Sequence, residues 1–187
     1  RRRRMCGHPW RDERSGPGRQ IVRTSLAMLA DVHALEAERG MAALAMAHLK
    51  APKGRGERHR VETPLGPFTV IDESYNANPA SMRAALEALG QAKPEAQGRR
   101  IAVIGDMLEL GDDSIAMHRG LAETIREADV DLVFASGPHM RELFKALPAG
   151  TQGAYGETSD ELGEALREAV EPGDVVMVKG SLGSRMG

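Results

Sequence analysis

From residue 58 onward the chain alternates between two hydrophobic rhythms. Residues 68–71, 101–104, 132–135 and 175–178 are short, nearly unbroken apolar runs. Runs of that kind read as strands covered on both faces. Between them the spacing becomes helical. Met82, Ala85, Leu86 and Leu89 recur at i, i+3, i+4 and i+7. Met117, Leu121, Ile125 and Ala128 predict a second helix, and Met140, Leu143, Phe144 and Leu147 a third. Leu162, Ala165, Leu166 and Ala169 predict a fourth, opened by Thr158 and Glu161 as a capping box. Residues 152–155 fit one more short strand. Residues 59–63 and 68–71 flank Pro64-Leu65-Gly66-Pro67, a hairpin signal. The alternation predicts an α/β fold, a mostly parallel Rossmann-like sheet with helices on both faces.

Upstream the pattern is different. Val22, Leu26, Leu29 and His33 form one helical stripe, and Met41, Leu44, Ala45 and Leu49 form another after Gly40. Pro52-Lys53-Gly54-Arg55-Gly56 is a breaker-rich hinge. Residues 1–17 hold six arginines, four of them consecutive. A basic arm for nucleic acid or a membrane surface is one reading. No second basic cluster supports it, so a disordered or unrelated start is the expectation. No apolar segment follows the arginines, as a secretory signal requires.

Composition narrows the class. The aromatic residues are one Trp, two Tyr and three Phe, so the core must be aliphatic. A net charge of −2 gives no general attraction to nucleic acid. No apolar run approaches the roughly 20 residues that span a bilayer, so no membrane insertion is expected. The one cysteine, Cys6, excludes an intrachain disulfide and suits a reducing cytoplasm.

The chemistry gathers at strand ends. Residues 68–71 run into Asp72-Glu73-Ser74-Tyr75-Asn76-Ala77-Asn78-Pro79. Asn78 and Pro79 suit the N-cap and first position of the next helix. Residues 101–104 run into Gly105 and Asp106, residues 132–135 into Ser136 and Gly137, and residues 175–178 into Lys179, Gly180 and Ser181. In a parallel sheet these ends share one edge, where such folds bind ligands. Asp72 and Glu73, as strand neighbours, are expected to point to opposite faces.

Three of these motifs carry a resemblance. Residues 72–79, Gly105-Asp106-Met107-Leu108-Glu109-Leu110-Gly111 and Val178-Lys179-Gly180-Ser181 are similar, in the same order, to the C-terminal domain of MurF ligases. The resemblance covers about residues 18–187. It implies three parts: a non-family basic start at 1–17, the helical end of a central ATP-binding domain plus hinge at 18–57, and the C-terminal domain at 58–187, without its last helix. It implies ATP-dependent addition of D-alanyl-D-alanine to UDP-N-acetylmuramoyl-tripeptide in peptidoglycan synthesis. ATP and Mg²⁺ would be held mainly by a central domain. The resemblance assigns Arg55, Glu73, Tyr75 and Thr24 to ATP, and Asn76, Asn78, Asp106, Glu109, Lys179 and Ser181 to the peptide substrate. Asp106 and Glu109 would orient the incoming amine or help hold Mg²⁺. Asn78 has a competing role as helix cap, and His118 reads as structural.

This chain departs from the family in three places. Glu73 stands where an Asp is usual, and Gln20 and Thr24 replace a usual His and Asn. No Gly-x-x-x-x-Gly-Lys-Ser/Thr loop is present, since none of the five lysines follows a glycine. The chain is therefore expected to be inactive by itself, completed by N-terminal and central domains. A cut sheet face is expected to promote association. A non-catalytic α/β binding module and a related amide ligase, of the MurE or folylpolyglutamate synthase type, are the alternatives.

Overall fold

The computed structural model describes residues 3–5, 8–10 and 53–186. The chain forms two compact units, Arg1–Lys50 and Ala51–Gly187. In the first, strand β1 (Arg3–Met5) pairs antiparallel with β2 (His8–Trp10), Met5 opposite His8. The helices expected over 21–50, and Thr24 with them, lie outside the described residues.

The second unit is built on a six-stranded sheet. Its strands are β3 (Glu57–Val61), β4 (Phe68–Asp72), β5 (Arg100–Gly105), β6 (Leu132–Ser136), β7 (Gln152–Gly156) and β8 (Val175–Lys179). The order is β3-β4-β8-β5-β6-β7. Only the β3–β4 hairpin is antiparallel; the other four pairings are parallel. The last strand in sequence, β8, lies between β4 and β5. Its tip therefore sits beside the tips of both, which decides the anatomy of the site.

Helices α1 (Pro79–Gly90), α2 (Ser114–Arg119), α3 (Leu121–Glu127), α4 (Met140–Ala146) and α5 (Leu162–Ala169) connect the strands. One face of the sheet packs Met82, Leu86 and Leu89 of α1 with Leu121, Ile125, Met140 and Leu143. The other face packs Leu162 of α5 against Ile101, Val103, Phe134 and Val176. Burying each such side chain contributes about 1.5–3 kcal/mol, so the multi-helix face is the stronger anchor. Both faces are covered, as the sequence predicts.

Two helical expectations change. The stripe 117–128 is split at Gly120 into α2 and α3. Gly120 stays in the right-handed helical region, and Ser114, His118, Leu121 and Ile125 are buried along the two segments, while Met117 is exposed. The Thr158–Glu161 capping box does not form either. Glu161 itself is the N-cap of α5, with no side-chain cap bond. Its carboxylate instead accepts from the Glu157 N–H at 2.9 Å and the Thr158 hydroxyl at 3.2 Å. After β8 the chain makes a 3₁₀ turn at Leu182–Ser184, ended by Arg185 in the left-handed region.

Candidate functional site

The strand β4 ends in a turn stitched by its own side chains. The Asp72 carboxylate accepts from the Ser74 N–H at 3.0 Å and the Ser74 hydroxyl at 2.6 Å. Burial pushes the Asp72 carboxyl up, but the two Ser74 bonds outweigh it and hold the group below its ordinary range. Against this turn lies the hinge. The Gly56 N–H donates to the Asp72 carbonyl at 2.7 Å, and the Tyr75 N–H to the Gly54 carbonyl at 3.1 Å. Gly54 has φ +72°, and a Cβ there would sit 2.8 Å from the Tyr75 nitrogen, so a side chain is excluded twice over. The hinge carries Arg55 over the Tyr75 ring, 4.2 Å from its centroid, with both residues exposed. Glu73 is half-buried beside Gly56. Burial pushes its carboxyl above the ordinary range, and the Lys179 ammonium offsets that in part.

Lys179, at the tip of β8, points inward and is 2% exposed. Its ammonium donates to the Asn76 carbonyl at 2.8 Å and the Glu73 carbonyl at 3.4 Å. Burial lowers its pKa, against the pull of Glu73. Two residues on, the Ser181 hydroxyl accepts from the Leu108 N–H at 2.9 Å and donates to the Ala77 carbonyl at 3.4 Å. The Ser181 N–H donates to the Asp106 carbonyl at 3.0 Å. The Asp106 carboxylate turns away from the rim. It accepts from the Met140 N–H at 2.9 Å and the His139 N–H at 3.3 Å, where α4 begins. Asn76 is exposed, with its side-chain oxygen accepting from the Ala77 N–H at 2.8 Å. The Asn78 side-chain oxygen caps α1 by accepting from the Ser81 N–H at 2.8 Å, and the Ser81 hydroxyl in turn accepts from the Asn78 N–H at 3.0 Å. Glu109 is exposed, at φ +61°.

Among the predicted site residues, Glu73, Asn76, Asp106, Lys179 and Ser181 are thus joined by direct bonds at one sheet edge. Arg55 and Tyr75 form the outer rim. Asp72 and Glu73 do diverge, one closing its own turn and the other facing the hinge.

His118 has the structural place its sequence reading gives it, beneath the same edge. Its ring is fully buried, and its Nε2 accepts the Met107 N–H at 2.9 Å. Its Nδ1 therefore carries the proton, donated to the Ser114 carbonyl at 2.7 Å. Burial lowers its pKa, which fits the neutral ring. It stacks on His139 with centroids 5.3 Å apart, and Asp106 lies 3.9 Å from Nε2. The i, i+4 spacing of Ser114 and His118 on one helix face is the sequence signal for this pair.

Among the described residues every buried side-chain polar atom has a partner. No group of three His, Cys, Asp or Glu among them is arranged to hold a metal ion. The exposed guanidinium of Arg55, the Tyr75 ring and the Glu73 carboxylate suit a nucleotide's phosphate, base and ribose chemistry. The edge is open. Two hollows among the described residues lie at the opposite edge, one of about 410 Å³ between Asp129–Asp131 and Leu147–Thr151. They are far from the polar tips and hold none of this chemistry.

An α/β sheet with polar loops bonded together at its strand tips and a glycine-rich segment beside them defines a class, and comparison with known proteins agrees. Residues 54–182 match the family described as "Mur ligase, glutamate ligase domain". The chain belongs to the Mur ligase family. Its similarity within that family is to the C-terminal part of MurF-type enzymes. It is 36% identical over 180 residues to the UDP-N-acetylmuramoyl-tripeptide–D-alanyl-D-alanine ligase of Mycobacterium tuberculosis H37Rv, across 86% of this chain and 35% of that protein. The same enzyme of Escherichia coli K12 is 34% identical over 135 residues, across 72% of this chain and 28% of that one. A crystal structure of MurF from Acinetobacter baumannii superposes with a TM-score of 0.75 at 27% identity, over 90% of this chain and 36% of that one. MurF ligase from Thermotoga maritima, solved in complex with ADP, gives 0.66 at 25% identity, over 84% of this chain and 34% of that one. The chain thus spans about a third of the length of these relatives. Among the described residues no helix is long and apolar enough to cross a membrane.

Proposed function

We propose that this chain is the C-terminal domain of a cytoplasmic ligase that joins D-alanyl-D-alanine to UDP-N-acetylmuramoyl-tripeptide. The carrying observation is the direct bonding of the β4, β5 and β8 tips into one edge through Lys179 and Ser181. Arg55, Tyr75 and Glu73 would face the nucleotide, with Thr24 assigned to it from sequence. Asn76 and Glu109 would face the dipeptide from the exposed side of the same loops. Asn78, Asp106, Lys179 and Ser181 would shape that surface from beneath, since their polar atoms are bonded within the protein.

ATP would supply the phosphoryl group that activates the tripeptide carboxylate, leaving ADP, and the dipeptide amine would then displace inorganic phosphate, with Mg²⁺ supplying positive charge. The residues of this chain would hold the nucleotide's outer side, orient the dipeptide amine and keep water from the activated carboxylate on closure. The phosphate cradle and the sugar-nucleotide site would belong to other domains, so the chain is inactive alone. A phosphate-release assay with ATP, UDP-muramoyl-tripeptide and D-alanyl-D-alanine tests this. No turnover is expected from the chain by itself, and turnover without added protein overturns the inactivity.

The inward bonding of Lys179, Ser181 and Asp106 favours a second reading, a scaffold that binds neither ligand. Calorimetric titration with ATP and with the dipeptide separates the two. Heat of binding from either supports the ligase domain, and none from both supports the scaffold.

A further inference from the structure

The segment Lys179–Ser181 is bonded to two neighbouring tip loops at once, and nearly every contact is to backbone. The Lys179 ammonium meets the carbonyls of Glu73 and Asn76. Ser181 meets the Ala77 carbonyl, the Leu108 N–H and the Asp106 carbonyl. Burying an ammonium is costly, and the cost is offset only where fixed acceptors surround it. Here the acceptors are carbonyls three residues apart on one turn. Both must point inward, which dictates the path of the chain between them and pushes the Glu73 carboxylate and Tyr75 ring toward the rim. A side chain kept for direct ligand contact would not be 2% exposed with two of its three donors already given to the loop.

We infer that Lys179 is a positioning residue: its ammonium fixes the 73–76 turn through two carbonyls, while Ser181 splices the same segment to the 106–108 loop, so that the nucleotide side and the amine side of the site are held as one body. Lys179 itself touches no ligand in this role. The functional meaning rests on the ligase reading; the clamp itself does not.

The test uses the full 187-residue chain. Amide hydrogen exchange is compared for wild type, Lys179→Met and Ser181→Ala. Loss of the two ammonium–carbonyl bonds predicts exchange at Ser74, Tyr75 and Ala77 faster by about tenfold or more in Lys179→Met. The Val133–Ala135 amides of β6 should change little. Ser181→Ala, which removes one hydroxyl, should speed exchange at Leu108. The Glu73 carboxyl, followed by carbon NMR, should titrate at higher pH in Lys179→Met, because its neighbouring cation is gone. A uniform rise across the sheet, or unchanged exchange at both loops, overturns the clamp. If Lys179→Met does not fold, the Leu108 amide in Ser181→Ala decides the splice and the Glu73 titration in Lys179→Gln decides the ammonium. No ligand enters these readouts, so the ligase reading fails separately, by calorimetry of wild type with ATP.

Discussion

His118 is sensitive to acid. Its Nε2 must stay unprotonated to accept the Met107 N–H. Its pKa in the folded chain lies below the ordinary 6.5, with burial as the leading cause. The unfolded chain therefore binds the proton first as pH falls. Its contribution to stability is complete above about 6.5 and is lost as pH drops toward the folded value. The melting temperature should fall across that window, and His118→Gln should flatten the fall; an unchanged slope in the variant would reject the assignment. Asp174 makes the opposite kind of contact, a fixed charge. It is 1% exposed and accepts from the Arg99 N–H, the Arg99 guanidinium and the Glu171 N–H. Asp174→Ala should cost about 3 kcal/mol in urea unfolding, the low end for a broken buried pair because Arg99 keeps some access to water.

At the scale of elements, α1 has the most complete start. Asn78, Pro79 and Ser81 supply cap, first residue and reciprocal bond. Asn78→Ala should cost about 1 kcal/mol and leave the rim residues in place. A larger loss, with ligand binding abolished at full fold, would show that Asn78 serves the ligand as well. The strands were legible because their β-branched runs and the parallel sheet make the same demand, burial on both faces. The split between α2 and α3 was not. Leu121, Ile125 and Ala128 keep the phase of one long helix, and nothing in the spacing says that Gly120 ends a segment there. Sequence placed Lys179, Ser181 and Asp106 at the right edge, because strand ends set position. It did not show which way they face. That depends on β8 lying between β4 and β5, a pairing of residues about a hundred positions apart.

At the scale of the molecule, the mixed sheet leaves two outer strands, β3 and β7. Unpaired strand edges invite a second copy to add its own strand. The β3 side displays Arg58, His59 and Arg60, all exposed. The β7 side is five residues long, and its pairing with β6 shifts register between Val133 and Phe134. Two copies meeting along β3 would bring the exposed Arg58 side chains together beside Arg60, which is already paired with Glu62 and Glu95, and two meeting along β7 would find a short, irregular ladder. Fibrillar growth by sheet extension is thereby disfavoured from either end. Neutralising Arg58 and Arg60 together should be the substitution that first reveals a tendency to polymerise.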